Sequence, residues 1–160
     1  MTNDEIRKND QAPMTKYPRS VSRDEPVDSE ERFWDEGARK PGQELHEGER
    51  VYDLEERTAR FGEAIIGFAK KIPQNPVNNR LIEQLIGAAT SIGANYCEAD
   101  DGVSRKDFKN KVGTCRKEAR ETKFFLRMVA ASQESLKPEA RKLWQEAKEL
   151  HLIFCAIWRK

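Results

Sequence analysis

Six cations repeat along one stretch of the chain. Arg105, Lys109, Arg116, Arg120, Lys123 and Arg127 fall within roughly 60° of one another when residues are set 100° apart around a helix. A ridge of this kind attracts polyanions, and contact with phosphates would be salt-dependent and largely indifferent to base sequence. Like charges four residues apart repel, so the ridge calls for something acidic against it. Phosphates meet that need, as do carboxylates on another helix or subunit; Glu118, Glu121 and their neighbours are the local candidates. No helix-turn-helix, zinc-finger or RNP aromatic motif accompanies the ridge.

Other chemistry is thin. Asn95 and Glu98 stand three apart and share a helix face. With Glu118 they are expected to form a polar cluster that fixes the register of two helices, since buried polar groups need partners. A di-iron bundle requires Glu-x-x-His pairs, but Lys148 occupies the position three before His151. Cys97, Cys115 and Cys155 read as buried small hydrophobes. Reflection through the connecting loops sets Cys155 beside Cys115 and leaves Cys97 about 13 Å away along the axis, too far to share one zinc. His46 and His151 lack a nucleophile or an orienting acid, and there is no phosphate-binding glycine loop or nucleophile elbow. The chain therefore reads as non-catalytic, with no cofactor, no metal and no small-molecule substrate.

These residues need elements to position them. Hydrophobic residues make up 37% of the chain and charged residues 36%, a polar balance that points to a partly unfolded chain or a heavily charged surface. The average hides a division. Residues 1–50 hold nine Lys/Arg, thirteen Asp/Glu and four of the seven prolines. They lack the apolar surface to offset the entropy of ordering and read as an acidic, mostly disordered tail. Phe33 and Trp34, within residues 29–39, read as incidental aromatics rather than a docking motif. Residues 51–160 carry a net charge of +5, with twenty Lys/Arg against fifteen Asp/Glu. This half is long enough for an independent core.

Apolar spacing predicts four helices in that half: Leu54–Lys71, Asn79–Ala99, Arg105–Ala131 and Pro138–Trp158. Asp53 and Ser104 are the expected N-caps, and PQNPVNN reads as a connector. Small residues from Gly87 to Ala94 make the second helix thin, as close approach by a neighbour requires. The expected fold is all-α, an antiparallel up-down-up-down bundle with a disordered N-terminal tail. Ile66, Phe124, Phe125, Met128, Trp144 and Trp158 are left over and suggest contact between subunits. No apolar run reaches 18 residues, and MTNDEIRKND is no secretory signal, so a reducing, cytoplasmic setting is expected.

The runs LIEQLIGAATSIGANYCEA (81–99) and SRKDFKNKVGTCRKEARETKFFLR (104–127), with EAKEL (146–150), resemble the four-helix-bundle family of large-subunit rRNA intervening-sequence proteins. The resemblance covers about residues 52–160. It implies a homopentameric ring and a link to RNA, and one related branch assists the reverse transcriptase of diversity-generating retroelements. The expected partners are thus further copies of the chain, with structured RNA or a reverse transcriptase, and no membrane. A pure protein-interaction module without nucleic-acid binding is the alternative. The tail carries a net charge of −4 against the basic half, so it is expected to compete with RNA for the ridge. Deleting residues 1–50 is expected to strengthen RNA binding at low salt; unchanged binding in a filter or anisotropy titration would reject that competition.

Overall fold

The computed structural model describes Phe33, Trp34 and residues 53–160. The rest of the expected acidic tail, including His46, lies outside the described residues.

Helix α1, Leu54–Ala69, opens where Asp53 Oδ1 accepts the Glu56 N–H at 3.0 Å. That bond satisfies one of the donors a helix start leaves unpaired. Its buried face includes Phe61, Ile65 and Phe68 at the expected spacing, and Ile72 continues it past the helix end. Helix α2, Pro76–Asp100, starts three residues before the expected point. Asn75 Oδ1 accepts from the N–H groups of Val77 and Asn78, and Pro76 fills the first turn, where its missing N–H costs nothing. Part of the expected connector is therefore a capped helix start. The buried Asn78 side chain donates to the Pro73 carbonyl at 2.7 Å and ties the two segments together.

Helix α3, Arg105–Ser132, begins at Ser104, whose Oγ accepts the Asp107 N–H at 3.1 Å. A short 3₁₀ turn, Glu134–Leu136, leads into α4, Lys137–Arg159, with Pro138 in its first turn. Among the described residues no helix is long and apolar enough to cross a membrane.

Side-chain contacts set the direction of each neighbour. Gly62 faces Thr90 and Gly93 faces Thr58 across α1 and α2. Cys115 Sγ donates to the Ile92 carbonyl at 3.4 Å, and Lys111 pairs with Glu98, across α2 and α3. Lys123 lies over Trp144 and Arg116 over Trp158, across α3 and α4. Arg57 pairs with Glu146 and Lys71 with Glu139, closing α1 against α4. In every pair one residue number rises as the other falls, so neighbouring helices run antiparallel and the bundle is up-down-up-down. The core lies between them, with Leu85, Ile92, Val112, Leu126, Leu150 and Phe154 fully enclosed.

Two sequence expectations are corrected here. Phe33 and Trp34 are not incidental: both are helical, and Trp34 is 3% exposed in the core cluster. Trp144 is accordingly not spare surface, because Trp34 covers it at 5.9 Å between ring centroids. A segment too polar to fold alone still finds a home for two aromatic rings on a surface built by other residues. Ile66, Phe124 and Trp158 do remain exposed, while Phe125 and Met128 are half-buried.

The glycines divide by environment. A Cβ at Gly87 would meet nothing within 4 Å, whereas one at Gly93 would sit 3.3 Å from Thr58 Oγ1. Gly87→Ala is expected to stabilise the bundle by about 0.5–1 kcal/mol through helix propensity alone. Gly93→Ala should gain less or lose stability, because the same methyl crowds Thr58. Urea unfolding followed by circular dichroism checks both.

Candidate nucleic-acid interface

Helix α3 buries Val112, Cys115, Ala119, Thr122, Leu126 and Val129 on one face. Its rotation about its own axis is thereby set, and the six predicted cations come to lie along the outer seam with α4. Lys109 Nζ and the Arg116 guanidinium carbon lie 5.2 and 4.3 Å from the Trp158 ring centroid. Gly113 lets the indole approach, since a Cβ there would stand 3.4 Å from Trp158 Nε1. Further along, Lys123 Nζ lies 4.6 Å from the Trp144 ring centroid, with Lys148 of α4 at 5.7 Å. At the foot of the seam Arg105 donates to the Lys160 carbonyl at 3.2 Å. Arg120 and Arg127 are exposed.

The structure thus brings the ridge together with a stripe of α4 that sequence reasoning did not join to it. Trp144, Lys148, His151, Cys155 and Trp158 alternate four- and three-residue steps, which keeps them on one helix face. That spacing was the available signal. The seam is consequently cationic, and Trp158 is its exposed aromatic ring, a combination suited to phosphates and a stacked base.

Neutralisation by local acids does not occur within the described residues. Glu121 pairs with Lys117 at 3.6 Å, and Glu118 and Glu121 lie about 100° or more around α3 from the ridge. Among the described residues Arg105, Lys109, Arg116, Arg120 and Arg127 make no ion pair. The positive field at the seam is registered by His151. Burial pushes its imidazole below the usual histidine range, and Lys123, Arg120 and Arg116 push the same way.

The expected cluster of Asn95, Glu98 and Glu118 is distributed differently. Asn95 Nδ2 donates within its own helix to the Ser91 carbonyl at 2.8 Å. Glu98 does join α2 to α3, but through Lys111. Glu118 lies about two turns further along α3 than Lys111. It is half-buried; burial first, then Glu121, pushes its carboxyl above the usual range. Antiparallel register separates Glu118 from Glu98 even though the helix wheel allows both to face inward.

All three cysteines are free thiols. Cys115 is enclosed, and burial pushes its thiol up to about 12, which leaves it a core side chain. Cys155 points instead into the seam, with Sγ 3.6 Å from His151 Nε2. The two thiols take different partners: Cys115 donates to the Ile92 carbonyl of α2, and Cys155 sits against His151 of its own helix. No three metal-ligating side chains converge among the described residues. The pocket beside Trp158, lined by Arg105, Phe108, Lys109, Val112, Ile157, Trp158 and Lys160, holds about 190 Å³, below the usual range for small-molecule sites.

Residues 52–155 match a family model described as 23S rRNA-intervening sequence protein. A crystal structure of a protein with unknown function from the S23 ribosomal protein family of Bacteroides thetaiotaomicron is also similar. The two chains share 25% identity at a TM-score of 0.59, over 67% of this chain and 99% of that one. No curated protein matches the chain.

The imidazole's environment predicts a pH effect. A histidine whose folded pKa is lowered leaves the unfolded chain to bind the extra proton first. Its contribution to stability is full above the unfolded value near 6.5 and is lost as pH falls below it. Glu118, raised instead, acts in the opposite sense but equally in both proteins of a comparison. His151→Gln is expected to flatten the acid-side loss relative to the parent between about pH 6.5 and 5, read by urea midpoints across pH.

Proposed function

The chain belongs to the 23S rRNA-intervening sequence protein family, and from that premise we propose that it is a non-catalytic, oligomeric scaffold or adaptor for RNA or an RNA–protein complex. The observation that carries the reading is the row of Arg105, Lys109, Arg116, Arg120 and Arg127 on α3, which make no ion pair with an acidic side chain among the described residues, with Lys109 and Arg116 held over the Trp158 ring. Cations that the described residues leave without a carboxylate favour the approach of an anion. Phosphates supply that charge at any sequence, and Trp158, 36% exposed between Lys109 and Arg116, offers an edge for an unpaired base.

Self-association is the second part of the proposal. Phe124 is 55% exposed and Ile66 37%, and large apolar side chains left in water favour association with further copies. A five-membered ring follows from the family resemblance. Free thiols and the buried Cys115 accord with a reducing, cytoplasmic setting. A protein-only scaffold, such as a reverse-transcriptase accessory subunit, becomes the reading if RNA is refused.

The test is RNA binding by the full chain over a salt series, with light scattering on the same samples. Six phosphate contacts, one for each cation of the ridge, give a slope of log K against log salt of about −4 for a single strand. Neutralising Arg116, Arg120 and Lys123 to glutamine should lower that slope by about 2 without changing assembly. Bound phosphate should also raise the His151 pKa toward its ordinary value by offsetting the three cations beside it. An assembled protein that binds no RNA at low salt rejects the RNA contact; a monomer by scattering rejects the ring.

A further inference from the structure

Phe33 and Trp34 interrupt an otherwise polar stretch, and the structure seats both on one face of α4. The Trp34 and Trp144 rings are inclined at 48°, and Gln145 donates through Nε2 to the Trp34 carbonyl. Phe33 stands edge-on to Trp34 at 5.4 Å. Its ring lies beneath two cations, Lys137 Nζ at 4.9 Å and the Arg141 guanidinium carbon at 4.8 Å. Lys137, Arg141, Trp144, Gln145 and Lys148 share one side of the first turns of α4, so the receptor is built on a single helix.

Each contact reads a different property of a peptide. Trp144 takes an aromatic side chain, the Gln145 amide takes a main-chain carbonyl, and Lys137 and Arg141 take the face of a second ring. Charge complementarity extends beyond the contacts. Glu30, Glu31, Asp35 and Glu36 flank the aromatic pair in sequence, against Arg32 and Arg39. The receptor face carries Lys137, Arg141 and Lys148, with Lys123 of α3 beside Trp144.

We propose that this face of α4 is a docking site for a short acidic peptide with an adjacent Phe-Trp pair, occupied in the protein by its own Phe33 and Trp34. Distance favours the chain's own copy of the motif. Arg57, near the start of α1, pairs with Glu146, the residue after Gln145, at 2.6 Å. The start of α1 therefore lies close to the site, and residues 35–52 need bridge only a short gap with a chain able to span roughly 60 Å. Tethering of this kind holds the motif at an effective concentration in the millimolar range. The proposal does not depend on RNA binding.

The experiment uses the full chain and a fluorescein-labelled peptide of sequence SEERFWDEGAR. In the F33A/W34A protein the site is vacated, and the peptide is expected to bind by anisotropy. The parent protein should bind it about tenfold more weakly or less, because its own motif competes. A peptide with both aromatics changed to alanine should bind neither protein. Adding Arg141→Glu to F33A/W34A should weaken peptide binding about fivefold through the lost cation–ring contact and the reversed charge. Several results overturn the proposal: no peptide binding to a folded F33A/W34A protein, equal binding to variant and parent, or indifference to Arg141→Glu. So does an F33A/W34A protein that loses its helical signal, since the pair would then be part of the core and not a ligand of it.

Discussion

The burial of one narrow face of α3 is the constraint on which the rest of the structure depends. Val112, Cys115, Ala119, Thr122, Leu126 and Val129 are all at 0% exposure, wedged between α2 and α4. Their small and medium sizes let both neighbours come close, as the Cys115–Ile92 contact shows. A helix held so tightly has no freedom to rotate. Its cations, placed beside the apolar stripe by the sequence, must then lie along the α3–α4 seam whatever the electrostatic cost. That cost is softened by two indoles, which accept Lys109, Arg116 and Lys123 on their faces without neutralising them.

The same constraint distributes the acids. Glu98 meets Lys111, and Arg57 meets Glu146 and Glu149 at 2.6 and 2.7 Å. Carboxylates are thus used on the α1–α4 and α2–α3 sides of the bundle, away from the ridge. Exposed pairs of this kind add little stability, about 0–1 kcal/mol each. Their larger effect is on the pattern of charge, which leaves the α3–α4 seam positive and the other seams mixed.

Trp34 shows how a polar segment can take part in such a framework. Burying an indole removes on the order of 200 Å² from water, worth about 5 kcal/mol. Fixing each residue costs about 1–2 kcal/mol. The gain exceeds the cost for two ordered residues and is offset by three or four, so burial holds an anchor this short without requiring its polar neighbours to order. Composition over fifty residues averages that anchor away, which is why the tail reads as featureless until the surface of α4 is known.

Local physics made much of the protein legible from its residues. Asp53 and Ser104 were identifiable as caps because their side chains act within three residues, and the four apolar stripes because helical periodicity needs no partner to be seen. The six-cation ridge was legible for the same reason. Where Asn75 and Pro76 start α2, the signal was also local but was masked by the turn-like composition around it. Register was different. Whether Glu118 meets Glu98, whether Cys155 faces Cys115 or His151, and which rings lie beneath the cations all depend on how helices distant in sequence are rotated and slid against one another. Only close packing settles those quantities, because side-chain volumes from four helices must fill one shared space. The seating of Phe33 and Trp34 on Trp144 belongs to the same class: the receptor surface exists only after α4 has been placed, more than a hundred residues along the chain from its occupant.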